Sequence, residues 1–358
     1  MRVVVAMSGG VDSSVAAGLL AEAGYDVIGL SMQLYDQRAS PETFGSCCSL
    51  DDLQDARRVA GALGFPHYIL NFERQFQETV VKPFVADYAA GRTPIPCVQC
   101  NTDLKFSTLA DRAAGFGAAA VATGHYARVS YDEDLGRYRL QRGVDPDKDQ
   151  SYFLFSLTQD QLAHALFPVG HLTKTDVRAH AARLALGVAD KPDSHEICFI
   201  PDGDTGGFVD RQLPDADRSG EIVDSGGAVI GRHRGIHRLT VGQRKGLGLS
   251  TGTPMYVIKL EPADARVVVG PREELGGRQL TAARVNWIAG APPERPLTLT
   301  ARIRHRHQDA PAVVTPAGSS AASVVFTDPQ MAITPGQAVV FYDGADVVGG
   351  GWIDTTSR

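Results

Sequence analysis

Long apolar runs are missing from this 358-residue chain, and no stretch is long enough to cross a bilayer as a helix. Cysteine is scarce, with five residues and therefore an odd count, which excludes the disulfide framework of small secreted domains. A reducing, cytoplasmic setting is expected, and Met1-Arg2 runs straight into an apolar segment without the layout of a signal peptide. Net positive charge is also lacking. The formal charge is −6, which argues against a protein that coats nucleic acid broadly but leaves local basic patches open. There is no internal repeat and no long low-complexity segment. What remains is an ordinary balance of 43% hydrophobic and 21% charged residues, in a length that suits two or three globular domains.

The most informative segment follows Val3-Val4-Val5-Ala6-Met7. A short buried strand there runs into Ser8-Gly9-Gly10-Val11-Asp12-Ser13-Ser14 and then into residues of helical composition through Ala23. Glycines let a backbone approach an anion closely, hydroxyls add donors, and a helix N-terminus offers unpaired N–H groups and partial positive charge. No lysine follows the glycines, so this is not a Walker loop. It resembles the pyrophosphate loop of enzymes that cleave ATP to AMP and pyrophosphate, adenylate a substrate oxygen and then displace AMP.

Downstream, strand and helix alternate. Strands are expected over Val3–Met7, Asp26–Leu34, Pro66–Phe72 and Ala118–Thr123, with helices over Ser13–Ala23, Leu50–Leu63 and Thr102–Gly115. This order predicts an α/β fold, a parallel sheet covered on both faces, with ligand beyond the strand C-termini. Ser8–Ser14 and Gly124-His125-Tyr126 both sit at such ends. After about Asp202, glycine and proline rise and short alternating runs appear: Glu221–Val223, Pro254–Leu260, Arg266–Val269, Leu297–Arg306, Ala322–Phe326 and Ala338–Tyr342. They suggest a small β-rich domain and a β-barrel. The expected domains are residues 1–205 (catalytic), 206–278 (central, β-rich) and 279–358 (barrel).

Cys97-Val98-Gln99-Cys100 precedes Asn101-Thr102, a natural N-cap, which would place Cys100 just outside a helix N-terminus where a thiolate is favoured. Sulfur chemistry, a zinc half-site and an inert pair are all open here, although no second CxxC completes a zinc ribbon. Cys198 reads locally as a buried core residue, and Cys47-Cys48 as structural or incidental. In Arg302-Ile303-Arg304-His305-Arg306-His307 a period of two puts three arginines on one strand face, suited to phosphates or to a solvated face with acidic partners. A second basic cluster, Arg232-His233-Arg234-Gly235-Ile236-His237-Arg238 with Gln243-Arg244-Lys245-Gly246, strengthens an RNA reading modestly.

Taken in order, Ser8–Ser14, Gly91-Arg92-Thr93-Pro94, Cys100-Asn101, Lys105-Phe106, Ala122-Thr123-Gly124-His125-Tyr126, Lys148-Asp149-Gln150-Ser151-Tyr152-Phe153, Ile197-Cys198-Phe199-Ile200, Gly242–Gly248 and Thr334-Pro335-Gly336-Gln337 resemble the bacterial tRNA-specific 2-thiouridylases over nearly the whole chain. The resemblance implies ATP on Ala6, Met7, Ser8, Gly9, Gly10, Val11, Asp12, Ser13 and Ser14, with Met32 and Gly124 helping, and Mg2+ as counter-ion. It implies adenylation of the 2-oxygen of the wobble uridine, in tRNAs for Lys, Glu and Gln. Sulfur would arrive as a persulfide on Cys198 from a cysteine desulfurase or sulfur-relay protein. Cys100 would be the nucleophile, pairing with Cys198 as a disulfide on release. Ile95, Pro96 and Cys97 would meet the target base. His125, Lys148, Asp149, Gln150, Arg304, His305, Arg306 and Gln337 would touch tRNA.

One departure stands out. The family pattern has Asn-Pro-Asp where this chain has Ile95-Pro96-Cys97, so a thiol replaces an acid. Cys97 is then an auxiliary thiol, or Cys97, Cys100 and Cys198 hold a 4Fe-4S cluster whose open iron accepts sulfide. Two other classes compete: a pyrophosphate-loop ligase, amidotransferase-linked or argininosuccinate-like, and a non-catalytic tRNA-binding protein.

Overall fold

The computed structural model describes residues 1–35, 49–193, 197–213 and 219–357. Along the first half run β1 (Arg2–Ala6), α1 (Val11–Glu22), β2 (Asp26–Gln33), α2 (Leu50–Leu63), β3 (His67–Asn71), β4 (Ala120–Ala122), a hairpin of β5 (Ala127–Asp132) and β6 (Arg137–Arg142), β7 (Ala165–Leu166) and α3 (Lys174–Arg183). The parallel sheet has the order β3-β2-β1-β4-β7. The order reverses between β1 and β4, so the crevice for a ligand opens where the loops after these two strands meet.

Val3, Val4 and Val5 of β1 are wholly buried. Successive side chains of a strand point to opposite faces, and the sheet builds a separate core on each. Val3, Val5, Val27 and Ala122 pack with Val15, Ala16, Ala56, Val59, Val177 and Ala181, so α1, α2 and α3 cover one face. Val4, Ile28, Leu30 and Val121 pack with Phe76, Val80, Phe84, Val98, Leu104 and Leu109 on the other. Those residues come from two helical runs. The first is Glu73–Phe76, a π-helical stretch Gln77–Val81, and Lys82–Ala89; the second is Pro96–Gln99, a π-helical stretch Cys100–Thr108, and Leu109–Gly115.

π-Helical backbone leaves carbonyls without their ordinary partner. Here Gln161 supplies the donor, its Nε2 bonding the carbonyls of Thr102 and Phe106 at 3.0 Å each. The same side chain accepts from the backbone N–H of Thr158 and so completes a capping box for Gln159–Ala163. Gln161→Ala is therefore expected to lower stability by about 2 kcal/mol, read as a drop in the urea midpoint. Gln161→Glu, which keeps the acceptor but loses both donors, should fall close to it.

The central sheet, order β10-β11-β8-β9, consists of β8 (Gly220–Asp224), β9 (Val229–His233), β10 (Tyr256–Glu261) and β11 (Arg266–Gly270). The last six strands are β12 (Gly276–Trp287), β13 (Leu297–Arg302), β14 (Ala310–Pro316), β15 (Ala321–Met331), β16 (Ala338–Asp343) and β17 (Asp346–Ser357). They pair in the order β12-β15-β14-β13-β16-β17, and β12 also pairs with β17, so the antiparallel barrel is closed. Hairpin β5–β6 leans on it through Asp346 opposite Gln141.

The segment Gly91-Arg92-Thr93 joins the parallel-sheet domain to the barrel and lies against Leu260 and Pro262 of the central domain. Thr93 donates its N–H to the Pro335 carbonyl at 2.9 Å and accepts from Gln337 Nε2 at 2.9 Å, while Arg92 reaches Asp354 and the Ile353 carbonyl. Gly336 is at φ +91°, and a Cβ there would lie 2.7 Å from Thr93 N. Two motifs far apart in sequence are thus the two halves of one interdomain joint.

Candidate functional site

At the end of β1 the chain turns through Ser8-Gly9-Gly10 into α1. Gly9 lies at φ +76°, and a Cβ on it would come 2.2 Å from the Asp52 carbonyl oxygen of α2, so only glycine fits. Gly10 is the N-cap residue and brings no capping side chain, which leaves the first N–H groups of α1 for another acceptor. Ser13 Oγ accepts from Ser8 N at 3.2 Å and donates to the Gly10 carbonyl at 3.1 Å, and Ser14 Oγ donates to that carbonyl at 2.8 Å. Lys191 fastens the loop to α2, its Nζ bonding the Gly9 carbonyl, Asp52 and Asp55 at 3.1, 2.6 and 2.7 Å. Ala6 and Met7 lead into the turn, and Met32 lies buried near the end of the neighbouring β2.

The opposite wall is Thr123-Gly124-His125-Tyr126 after β4. A Cβ on Gly124 would lie 2.5 Å from Ser13 N, so the two loops touch backbone to backbone. Tyr126 Oη donates to Asp12 Oδ1 at 2.8 Å, and Lys174 Nζ lies 2.7 Å from the same oxygen. Burial, reinforced by Asp12, pushes the Tyr126 phenol well above its ordinary range, so it stays a donor at neutral pH. Thr123 Oγ1 bonds His125 Nδ1 at 2.7 Å, and His125 is enclosed by Phe106 and Phe167. Burial, with Lys105 nearby, holds His125 well below its ordinary pKa and therefore neutral.

Helix start differs from the sequence expectation. The helical run opens at Pro96, with Ile95 as N-cap, so Cys97 occupies its first turn and Cys100 begins the π-helical stretch inside it. Proline at the first helical position has the φ a helix needs and no N–H to leave unpaired, so it starts the helix ahead of Asn101 and Thr102. Asn101 is instead buried, its Nδ2 donating to the Phe153 carbonyl at 3.1 Å and its Oδ1 accepting from Lys105 at 3.0 Å. Thr102 bonds back to the Val98 carbonyl and to Ser156.

Cys97 is exposed, while Cys100 and Cys198 are half-buried. Cys100 and Cys198 both lie against the same hydrophobic core, the one that also contains Met32 and Ile95. Beside Cys198, Phe199 is wedged edge-on between Phe76 and Phe84 and fixes this part of the chain. Among the described residues no group of three or more Cys, His, Asp or Glu side chains is placed to hold a metal ion. Cys47 and Cys48 lie outside the described residues.

The basic run near residue 304 also departs from expectation. β13 ends at Arg302, and residues 303–307 form turns rather than continuing the strand. Arg302 is drawn inward by Asp309, at 2.7 Å, and by Asp149, at 3.7 Å. These carboxylates take its charge, and the backbone turns beyond it. Arg304 donates to the Met331 carbonyl, His305 lies 4.5 Å from the Phe153 ring and 3.3 Å from the Asp149 carbonyl, and Arg306 is exposed. Asp149 is buried and accepts from the N–H groups of Gly143 and Ser151 and from the Ser151 hydroxyl. Gln150 caps the Tyr126 N–H at 3.0 Å, Gln337 is in the interdomain joint, and Lys148 reaches Asp193 at 2.8 Å. In the central domain Arg232, Arg234, Arg238, Arg244 and Lys245 are exposed while His233 and His237 turn inward, His237 onto Asp210 at 2.6 Å.

Three family profiles tile the chain: a tRNA methyl transferase HUP domain over residues 1–202, a tRNA methyl transferase PRC-barrel domain over 206–271 and an aminomethyltransferase beta-barrel domain over 277–353. The protein is 53% identical over 363 residues to the tRNA-specific 2-thiouridylase MnmA of Koribacter versatilis, covering 98% of each chain. The chain belongs to the tRNA-specific 2-thiouridylase family. Similar members come from Solibacter usitatus, 52% identical with 98% of this chain and 99% of that one covered, and from Geotalea uraniireducens, 53% identical with 99% and 95% covered.

Within this 2-thiouridylase framework, the helical run that carries Cys97 and Cys100 adjoins the nucleotide crevice through Lys105 and Phe106, which flank His125 next to Gly124. Sequence reading missed four charged residues at the crevice: Lys174, Lys191, Asp193 and Arg178. Each lies in an unremarkable charged stretch, and only the fold brings them to the loop. Among the described residues no helix is long and apolar enough to cross a membrane.

Proposed function

We propose that the protein replaces the 2-oxygen of the wobble uridine of tRNA by sulfur at the expense of ATP. The observation that carries this reading is the junction of three parts. They are the pyrophosphate-type loop of Ser8–Ser14, the Gly124 backbone pressed against it, and the cysteine-bearing helix beside His125. ATP lies with its phosphates on the free N–H groups of α1, and Met32 and Gly124 flank the nucleoside. Asp12 suits magnesium, since that ion is commonly held by one or two carboxylates together with substrate phosphates. When bound, it neutralises the charge of the departing pyrophosphate.

The uridine 2-oxygen attacks the α-phosphorus and pyrophosphate leaves, which turns a poor leaving group into AMP. Sulfur arrives from a donor, a cysteine desulfurase or sulfur-relay protein, as a persulfide on Cys198. Its terminal sulfur attacks C2, and AMP departs with the former 2-oxygen. The Cys100 thiolate then attacks Cys198 Sγ. The S–S bond to the base breaks, a Cys100–Cys198 disulfide forms, and 2-thiouridine is released. A thiol reductant resets the pair. Ile95, Pro96 and Cys97 open the helix ahead of Cys100 and would face the base. Arg304, Arg306 and the exposed cations of the central domain supply phosphate contacts, with the substrate tRNAs those for Lys, Glu and Gln.

Incubation of unmodified tRNA with the protein, MgATP and a confirmed persulfide source should yield 2-thiouridine at the wobble position by nucleoside mass spectrometry. Its absence there would refute the reading.

A further inference from the structure

The Ser8–Ser14 loop contains no basic residue, although a triphosphate carries several negative charges. The cations stand elsewhere. Lys174, the first residue of α3, places Nζ 2.7 Å from Asp12 Oδ1 of the loop and 2.7 Å from Asp193 Oδ1. Lys148 Nζ lies 2.8 Å from the other Asp193 oxygen, and Arg178 approaches Asp193 at 3.8 Å. The Lys174 side chain is only 13% exposed. Burial alone would raise the Asp193 pKa, but the hydrogen bonds from Lys148 and Lys174 hold it at about 2, so the group is ionised at neutral pH.

One carboxylate thus bridges two ammoniums through both oxygens, the charge-assisted pattern by which lysines also hold a phosphate. Asp145 also accepts from the Lys174 backbone N–H at 2.9 Å, so three cations face three carboxylates and an incoming anion must take the lysines from a carboxylate they already hold. Lys174 already touches the loop through Asp12, and Lys148 is one side chain further out.

We propose that Lys174 and Lys148 are the polyphosphate-binding cations of the nucleotide site, and that Asp193 is an internal anion which the β- and γ-phosphates of ATP displace from them. The proposal rests on the ATP reading above and assigns Lys148 to nucleotide rather than to tRNA. Because AMP lacks those phosphates, it should neither use the lysines nor compete with Asp193.

Calorimetric titration of the full-length protein with MgATP and with AMP tests this. Lys174→Ala should weaken MgATP binding about 30-fold and Lys148→Ala about 5-fold, the scale of one charge-assisted bond lost, with AMP affinity unchanged in both. Lys174→Arg should restore most of the loss. Asp193→Asn should tighten MgATP about 3-fold or more by removing the competing anion, again without effect on AMP. Two results overturn the proposal: equal MgATP affinity in wild type and Lys174→Ala, or weaker MgATP binding in Asp193→Asn, which a purely structural ion pair would produce. Should Lys174→Ala fail to fold, the sign of the Asp193→Asn effect decides alone. Wild-type protein that binds no MgATP would instead remove the ATP reading and this proposal together.

Discussion

Cys100→Ser and Cys198→Ser should each reduce 2-thiouridine formation by about 10³-fold or more, the scale seen when an essential nucleophile is removed. Exchange of pyrophosphate into ATP, dependent on added tRNA, should continue in both. On the proposed mechanism, adenylation needs only the nucleotide crevice and a positioned uridine, whereas sulfur delivery and release need both thiols. The two lie against one hydrophobic core, Cys100 at the start of the π-helical stretch and Cys198 beside the Phe199 wedge. Cys97 is exposed one turn earlier and on the persulfide route is only an auxiliary thiol, so Cys97→Ser should keep most of the activity and bind no less iron than wild type. A pyrophosphate-loop ligase would tolerate all three changes, and a non-catalytic tRNA binder would show no exchange in any of them.

Gly124→Ala should abolish ATP binding and cost about 2–3 kcal/mol of stability. The added methyl would stand 2.5 Å from Ser13 N, 2.6 Å from the Asp12 carbonyl carbon and 2.9 Å from Ser13 Cα. All three are backbone atoms of the first turn of α1. They cannot rotate aside, so the helix N-terminus must move, and with it the donors aimed at the phosphates. Gly61→Ala provides the contrast. Gly61 lies inside α2 with nothing within 4 Å of its added Cβ, so alanine there should stabilise by about 0.5–1 kcal/mol. Thermal melts and MgATP titration of the two variants check both halves. Equal behaviour would mean the Gly124 contact does not shape the site.

The parallel sheet was legible because its signals are local. The Val3–Met7 run, the Leu50–Leu63 spacing ended by Gly64 and the loop after β1 each follow from a few neighbouring residues, and α2 spans Leu50–Leu63 as its periodicity predicts. The site was legible where a motif names its own chemistry, as at Gly124, whose closeness to Ser13 matches the expected shared crevice. Other features depend on partners far away in sequence. Asn101 looks like an N-cap until Pro96 starts the helix ahead of it and Phe153 takes its amide. Arg302–Arg306 alternates like a strand, but Asp149 and Asp309 pull Arg302 inward and the strand stops. Lys174 and Asp193 gave no signal at all, since their meaning comes only from a salt bridge formed at the loop.

The central claim is that the uridine oxygen, rather than water, attacks ATP and later leaves with AMP. Complete conversion of tRNA in heavy-oxygen water tests it directly by mass spectrometry of the products. The account predicts that AMP and pyrophosphate both emerge without solvent oxygen, one AMP for each 2-thiouridine. Solvent oxygen in AMP or pyrophosphate, in step with thiolation, would contradict it.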